Sequence, residues 1–282
     1  MKTRLLLAFF MCFTLETIIA ADGSTIRPRV IVIDPGHGGS DDGSVKSDSS
    51  QESDGASWNN ATSAKLHLRE EHLTLSYCKA IQTAIQRSPE YRRHEWKLVL
   101  TRTKDAHLGA MERAAVAVRE SADVFFSVHF NASDKHAASG TRVFYVSNEH
   151  PKWEFYHFTN PYSDRDRRFA DVLCRNVAEA LSPFGGQPKA RLTYDDARDR
   201  KDGLRILGYA REDTHLFNCA MGLLEVEFID NPAVESWLLS GGNQSRTETA
   251  VADSIVNALR AWFALPSAQR YERTKASKAP NR

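Results

Sequence analysis

Hydrophobic positions along the chain alternate between two periods. Arg29-Val-Ile-Val-Ile-Asp34 is an unbroken β-branched run, the pattern of a strand buried on both faces of a parallel sheet. From Glu70 the period lengthens: Leu73, Tyr77, Ala80/Ile81 and Ala84/Ile85 recur at helical spacing. Trp96–Thr101 and Asp123–His129 read as further strands around an Ala-rich helix from Ala110 to Glu120. Thr141–Val146 is a fourth strand, residues 147–165 read as a loop, and a helical period returns at Phe169, Leu173, Val177 and Leu181. Leu223–Ile229 is a fifth strand, and a helix from about Glu248 to Phe263 aligns Val251, Ile255, Leu259 and Phe263. Strands alternating with helices of these lengths predict an α/β fold. It is a single three-layer domain, with a mostly parallel or mixed central sheet covered by helices on both faces.

The flanks read differently. Lys2 and Arg4 precede an apolar stretch from Leu5 to Leu15, and Ile18-Ile19-Ala20-Ala21 offers small residues for cleavage. This is the layout of a secretory signal peptide over residues 1–21, and the apolar stretch falls short of the roughly 20 residues that span a bilayer. The expected product is exported, to the periplasm or the medium, without stable membrane insertion. A single folded domain is expected over 28–265. Within it, residues 41–68 are rich in Ser, Asp, Gly and Asn without a period and read as a surface insertion. Residues 266–282 are polar and basic and read as a disordered tail.

Charge adds an exclusion. The chain holds 37 basic and 36 acidic residues, and loss of Lys2, Arg4 and Glu16 with the leader leaves 35 against 35. Such balance gives no electrostatic case for nucleic acid as a partner. Cys78, Cys174 and Cys219 remain after the leader. No CxxC pair or dense framework is present, so buried small apolar residues are expected, with one bridge left open.

Two of the ten histidines stand apart. His37 and His129 each follow a buried apolar strand, where an imidazole is costly without partners. Active sites of α/β sheets gather at the carboxyl ends of the strands, which is where both lie. The others sit in polar contexts, and His215 is ambiguous. The run Asp34-Pro35-Gly36-His37-Gly38-Gly39 lets backbone approach an ion closely, and Asp34 could orient the imidazole or a backbone amide. It lacks the Lys-Ser/Thr ending of a phosphate loop. A catalytic zinc takes three protein ligands, often two His and a carboxylate. Glu70 and Glu71 are the carboxylate candidates, although acids favour a helix start in any case. His67-Leu-Arg-Glu-Glu-His72 matches neither HExxH nor HxxEH, so a local zincin cluster is rejected. Glu225 and Glu227, at i and i+2 on a strand, share a face and would suit a general base; a solvated acidic face explains them equally well. No GxSxG nucleophile elbow is present.

In order along the chain, several segments resemble the zinc-dependent N-acetylmuramoyl-L-alanine amidase family, the cell-wall amidases. They are Val30–Gly39, Glu70 with Leu73 and Leu75, Val99–Arg102, Arg113, Ala122–Ala132, Ser139-Gly140, and Leu224-Glu225 with Phe228 and Asn231-Pro232. The resemblance covers roughly residues 29–263. It implies one Zn2+ ion held by His37, Glu70 and His129, with Glu225 rather than Glu227 as general acid/base. The implied substrate is peptidoglycan, cut between the lactyl group of N-acetylmuramic acid and L-alanine of the stem peptide. A different zinc-dependent wall hydrolase and a non-catalytic wall-binding relative are the competing readings. An activating protein is not legible in the sequence. Arg102 and Arg113 match family positions as structural or substrate-facing residues. Phe130 stands where a small residue is usual and is expected to reshape the groove beside His129.

Overall fold

The computed structural model describes residues 18–19, 25–39, 60–146, 160–187, 191–194, 206–207, 219–267 and 270. The signal-peptide segment falls outside them except for Ile18–Ile19, which pairs antiparallel with Thr25–Ile26. Most of the insertion, His150, His157, His215 and nearly all of the basic tail also lie outside.

Six strands form one mixed sheet. They are β1 (Arg29–Pro35), β2 (Trp96–Leu100), β3 (Val124–Asn131), β4 (Arg142–Tyr145), β5 (Arg191–Tyr194) and β6 (Ala220–Phe228), in the order β2-β1-β3-β6-β4-β5. β2, β1, β3 and β6 run parallel to one another; β4 pairs antiparallel with β6, and β5 parallel with β4. The helices of seven or more residues among the described residues are α1 (Glu70–Arg87), α2 (Ala110–Arg119), α3 (Ser163–Leu181), α4 (Pro232–Leu238) and α5 (Asn243–Ala264).

Side-chain alternation along the strands divides the core in two. Ile31 and Ile33 of β1, with Val124, Phe126, Val128 and Phe130 of β3, face one layer. That layer buries Leu73, Tyr77, Ile81 and Ile85 of α1, Phe169 and Leu173 of α3, and Ile255, Leu259 and Trp262 of α5. Each such large side chain contributes about 1.5–3 kcal/mol on full burial. Val30, Val32 and Phe125 face the opposite way, onto Ala110, Ala114 and Ala117 of α2 and onto Ile206 and Leu207. The three-layer expectation holds, with α1, α3 and α5 on one side of the sheet and α2, with the helical Ile206–Leu207, on the other.

Local chemistry sets several boundaries. α1 opens with Glu70 and Glu71 in its first turn, where the helix dipole favours acids, and stops at Ser88, extended because Pro89 follows. α3 begins at Ser163 within the segment expected to be a loop. Its first turn is charged yet buried: Arg165 donates to the Cys219 carbonyl at 2.5 Å, and Asp166 accepts from Met221 N at 3.3 Å. β6 starts at Ala220, three residues before the expected strand, and α5 starts five residues early. The end of the insertion is not a free surface loop, because Ala61 and Ser63 are buried against α1 and α4. At the head of the tail, Arg270 is buried and donates to the Phe263 carbonyl, so the packed chain extends beyond 265. Cys78, Cys174 and Cys219 are buried, the first two in the three-helix layer and Cys219 on the far side of the sheet.

Candidate metal centre

β1 and β3 end side by side, and Gly36 N donates to the Val128 carbonyl at 3.0 Å, carrying the pairing one residue past β1. His37 then turns into the left-handed region at φ +56°, followed by Gly38 at +115°. A Cβ at Gly38 would stand 2.6 Å from the Ala106 carbonyl oxygen, so both the conformation and the space require glycine. A left-handed non-glycine residue costs of order 1–3 kcal/mol and persists only where its surroundings over-determine it. Two buried arginines do so here. Arg113 donates to the carbonyls of His37 (2.6 Å) and Pro35 (2.8 Å), and Arg102 to those of Pro35 (2.9 Å), Gly36 (2.8 Å) and Glu71 (2.9 Å). Both are therefore structural rather than substrate-facing.

Of the two roles expected for Asp34, contact with the His37 ring is not made. Its carboxylate accepts from Arg113 at 2.8 Å, from Ser127 at 2.5 Å and from Thr101. Burial pushes its pKa up, but Arg113 and the two hydroxyls outweigh that and hold it below the usual carboxylate range. Arg113 links Asp34 to His37, since it also donates to the His37 carbonyl.

Three side chains converge beyond the strand ends. Glu70, the first helical residue of α1, places Oε2 3.1 Å from His37 Nε2 and Oε1 3.0 Å from His129 Nδ1. The two ring nitrogens stand 3.2 Å apart. Each carboxylate oxygen also accepts a backbone amide at 2.9 Å, Oε1 from Phe130 and Oε2 from Ala61. Burial raises the Glu70 pKa, yet the His37 and His129 imidazoles reverse this and drive it well below the usual range. Burial lowers that of His129, and Glu70, with a smaller share from Glu225, turns the net shift upward. Two nitrogens and one oxygen that share a small buried space match the donor set of a catalytic zinc. The two nitrogens stand 3.2 Å apart, near the edge of a tetrahedron, about 3.3 Å, built on bonds of 2.0–2.1 Å, and one ligand atom from each of the three residues lies within 4.8 Å of the other two. Among the described residues this is the one group of three such side chains able to hold a metal.

The neighbouring acids separate by environment. Glu225 is half-buried and stands opposite His129 in the pairing of β3 with β6. Glu227 is buried, accepts from Gly140 N at 2.7 Å and Phe228 N at 3.1 Å, and has its pKa raised by burial, which makes it a brace for the 132–140 turn. Glu71 turns away to Asn60 and Arg69. Phe130 does not line a groove: its ring is buried edge-on against Tyr77, with centroids 5.0 Å apart. His67, His72, His94, His107 and His136 lie outside the cluster, and His136 pairs with Asp230 at 2.8 Å. Sequence reasoning missed Ala61, Thr74 and Ser127. Thr74 donates to the Gly36 carbonyl at 2.8 Å, and no residue-type signal marks a backbone amide such as that of Ala61.

Comparison with known proteins follows the same elements. The family model described as N-acetylmuramoyl-L-alanine amidase matches residues 31–257. AmiA of Escherichia coli is 25% identical over 252 residues, covering 83% of this chain and 77% of AmiA. The probable amidase AmiB of Haemophilus influenzae is 30% identical over 148 residues, which is 52% of this chain but only 28% of AmiB. Among solved structures, the catalytic domain of CwlV from Bacillus (Paenibacillus) polymyxa superposes with a TM-score of 0.56 at 23% identity, covering 82% of this chain and 98% of that one. Ami1 of Mycobacterium abscessus gives 0.58 at 19%, covering 84% and 99%. Because the family match covers residues 31–257, from β1 through α1, β3 and β6 and across His37, Glu70, His129 and Glu225, the chain belongs to the N-acetylmuramoyl-L-alanine amidase family.

Proposed function

We propose that this protein binds one zinc ion through His37, Glu70 and His129 and uses Glu225 as general acid/base to release stem peptides from peptidoglycan. Family membership makes it a peptidoglycan amidase, acting between the lactyl group of N-acetylmuramic acid and L-alanine. The observation that carries the zinc assignment is the convergence of His37, Glu70 and His129, with one ligand atom of each within 4.8 Å of the others, beside Glu225. When bound, zinc supplies Lewis-acid polarisation of the scissile carbonyl and acidifies water at the site.

The chain's own residues do the rest. The amides of Ala61 and Phe130 hold the Glu70 carboxylate in one orientation, and the arginine clamp holds the His37 backbone. Glu225, half-buried opposite His129, takes a proton from the attacking water and returns it to the departing L-alanine nitrogen. Glu227, fixed by two amides, takes no part. The leader at residues 1–21 directs the enzyme out of the cytoplasm, to the periplasm or beyond, where its substrate lies. No helix among the described residues is long and apolar enough to cross a membrane.

Mass spectrometry of products from purified sacculi, with and without a chelator, tests the reading. Release of peptides with a free L-alanine amino end is expected, and it should stop on metal removal. Glu225→Gln should retain zinc and lose about 10²–10⁴-fold in rate. Undiminished cleavage by that variant, or by chelated protein, would refute the assignment.

A further inference from the structure

Residues 61–70 form a short hairpin that joins the metal centre to α4. Thr62 bridges Arg69 antiparallel, Ser63 N donates to the Leu68 carbonyl at 2.9 Å, and Glu70 N donates to the Ala61 carbonyl at 2.9 Å. The Ser63 hydroxyl closes the ladder by accepting from Leu68 N at 3.0 Å. At the open end of this hairpin, Ala61 N grips Glu70 Oε2. At its turn, His67 sits in the left-handed region at φ +53°, and the amides of the turn find their acceptors on another element.

That element is α4. Glu235, 1% exposed, accepts from Lys65 N with both carboxylate oxygens at 2.9 Å and from Leu66 N with Oε1 at 2.6 Å. Ala64 N adds a bond to the Ile229 carbonyl at 3.3 Å. An acid in the first turn of a helix commonly serves its own helix dipole. Glu235 instead spends these bonds on a segment about 170 residues earlier in the chain. Charge-assisted bonds to amides are strong and directional, so the seated turn leaves the arm one position.

We propose that Glu235 is a positioning residue for the metal centre: by seating the 64–67 turn it sets the Ala61 amide, which in turn aims the Glu70 carboxylate at His37. The inference rests on the reading of His37, Glu70 and His129 as zinc ligands. It extends the support of the centre beyond the residues that touch it, to a helix that carries no ligand.

The test compares wild type, Glu235→Ala and Glu235→Gln by zinc affinity in chelator competition, by the absorption spectrum of the cobalt(II)-substituted protein, and by amide hydrogen exchange at Ala61 in the metal-free protein. Loss of the acceptor in Glu235→Ala should weaken zinc binding by about 10-fold or more, the usual effect of removing outer-shell support. It should also change the cobalt spectrum and release protection at Ala61. Glu235→Gln keeps one acceptor but presents an NH₂ to Lys65 N, and should fall between the two. If Glu235→Ala fails to fold, Glu235→Gln is read by the same criteria. Lower thermal stability with wild-type zinc affinity and cobalt spectrum would make Glu235 merely structural and overturn the inference. Wild-type protein that takes up no zinc would instead bring down the ligand assignment itself.

Discussion

Gly36→Ala would place a methyl group where His129 now sits. A Cβ at Gly36 falls 2.3 Å from His129 Cε1, 2.5 Å from Nε2 and 2.6 Å from Nδ1. Non-bonded carbons pack at about 3.5–4.0 Å, so the ring must withdraw by roughly 1 Å. Metal–ligand distances tolerate only about ±0.2 Å. The displacement is several times that margin, and zinc affinity should fall by about 100-fold, the upper end of what loss of outer-shell support alone causes. The fold suffers less. Overpacking costs about 1–3 kcal/mol, while replacing glycine recovers about 0.4–1 kcal/mol through the unfolded chain. Gly36 is not in the left-handed region, so backbone strain adds nothing. A net loss of about 1–2 kcal/mol is expected from these opposing terms. Chelator competition measures the affinity, and urea denaturation of the metal-free protein measures the stability. Gly241→Ala serves as the control: its Cβ would meet nothing within 4 Å, and φ +60° confines its effect to local strain. Wild-type zinc affinity in Gly36→Ala would show that the close approach of β1 to His129 does not hold the ligand in place.

Three further outcomes follow from other buried groups. The depressed pKa of Asp34 means its contribution to stability is full above the unfolded value of about 3.9 and is lost as pH falls through the folded one. Denaturation across pH 2–7 should therefore show an acid limb that is shallower in Asp34→Asn; an identical limb would contradict this. Arg113→Ala strands the buried Asp34 carboxylate and should cost about 3–5 kcal/mol at pH 7. A loss under about 1 kcal/mol in urea denaturation would contradict the clamp. Burial raises the thiol pKa of Cys78 and pushes that of Cys174 up to about 12. Native protein at pH 8 should resist a maleimide probe at both positions and label readily on unfolding; rapid native labelling would count against the packing of α1 and α3 on the sheet.

Much of the architecture follows from local pattern. The β-branched run of β1 and the 3.6-residue spacing of α1 and α5 mark buried faces wherever those segments pack, because burial of apolar side chains depends on period. Asn231-Pro232 is a helix start legible from residue type: Asn231 Oδ1 accepts from Ala233 N at 2.9 Å, and Pro232 needs no donor at that position. β5 and the first turn of α3 were not readable. Arg191–Tyr194 is a four-residue edge strand, and Arg165 and Asp166 are buried by pairing with backbone groups that hydropathy does not register.

The centre divides in the same way. Sequence alone determined that His37 and His129 end buried strands, and the family resemblance supplied Glu70 and Glu225. Only the tertiary structure decided that Arg113 links Asp34 to His37, that Phe130 points into the core, and that Glu227 braces the 132–140 turn. The reason is physical. Periodicity records which way a side chain faces, whereas a ligand set depends on the register of β1, β3 and β6. It depends equally on backbone amides, such as those of Ala61 and Phe130, that every residue type but proline carries.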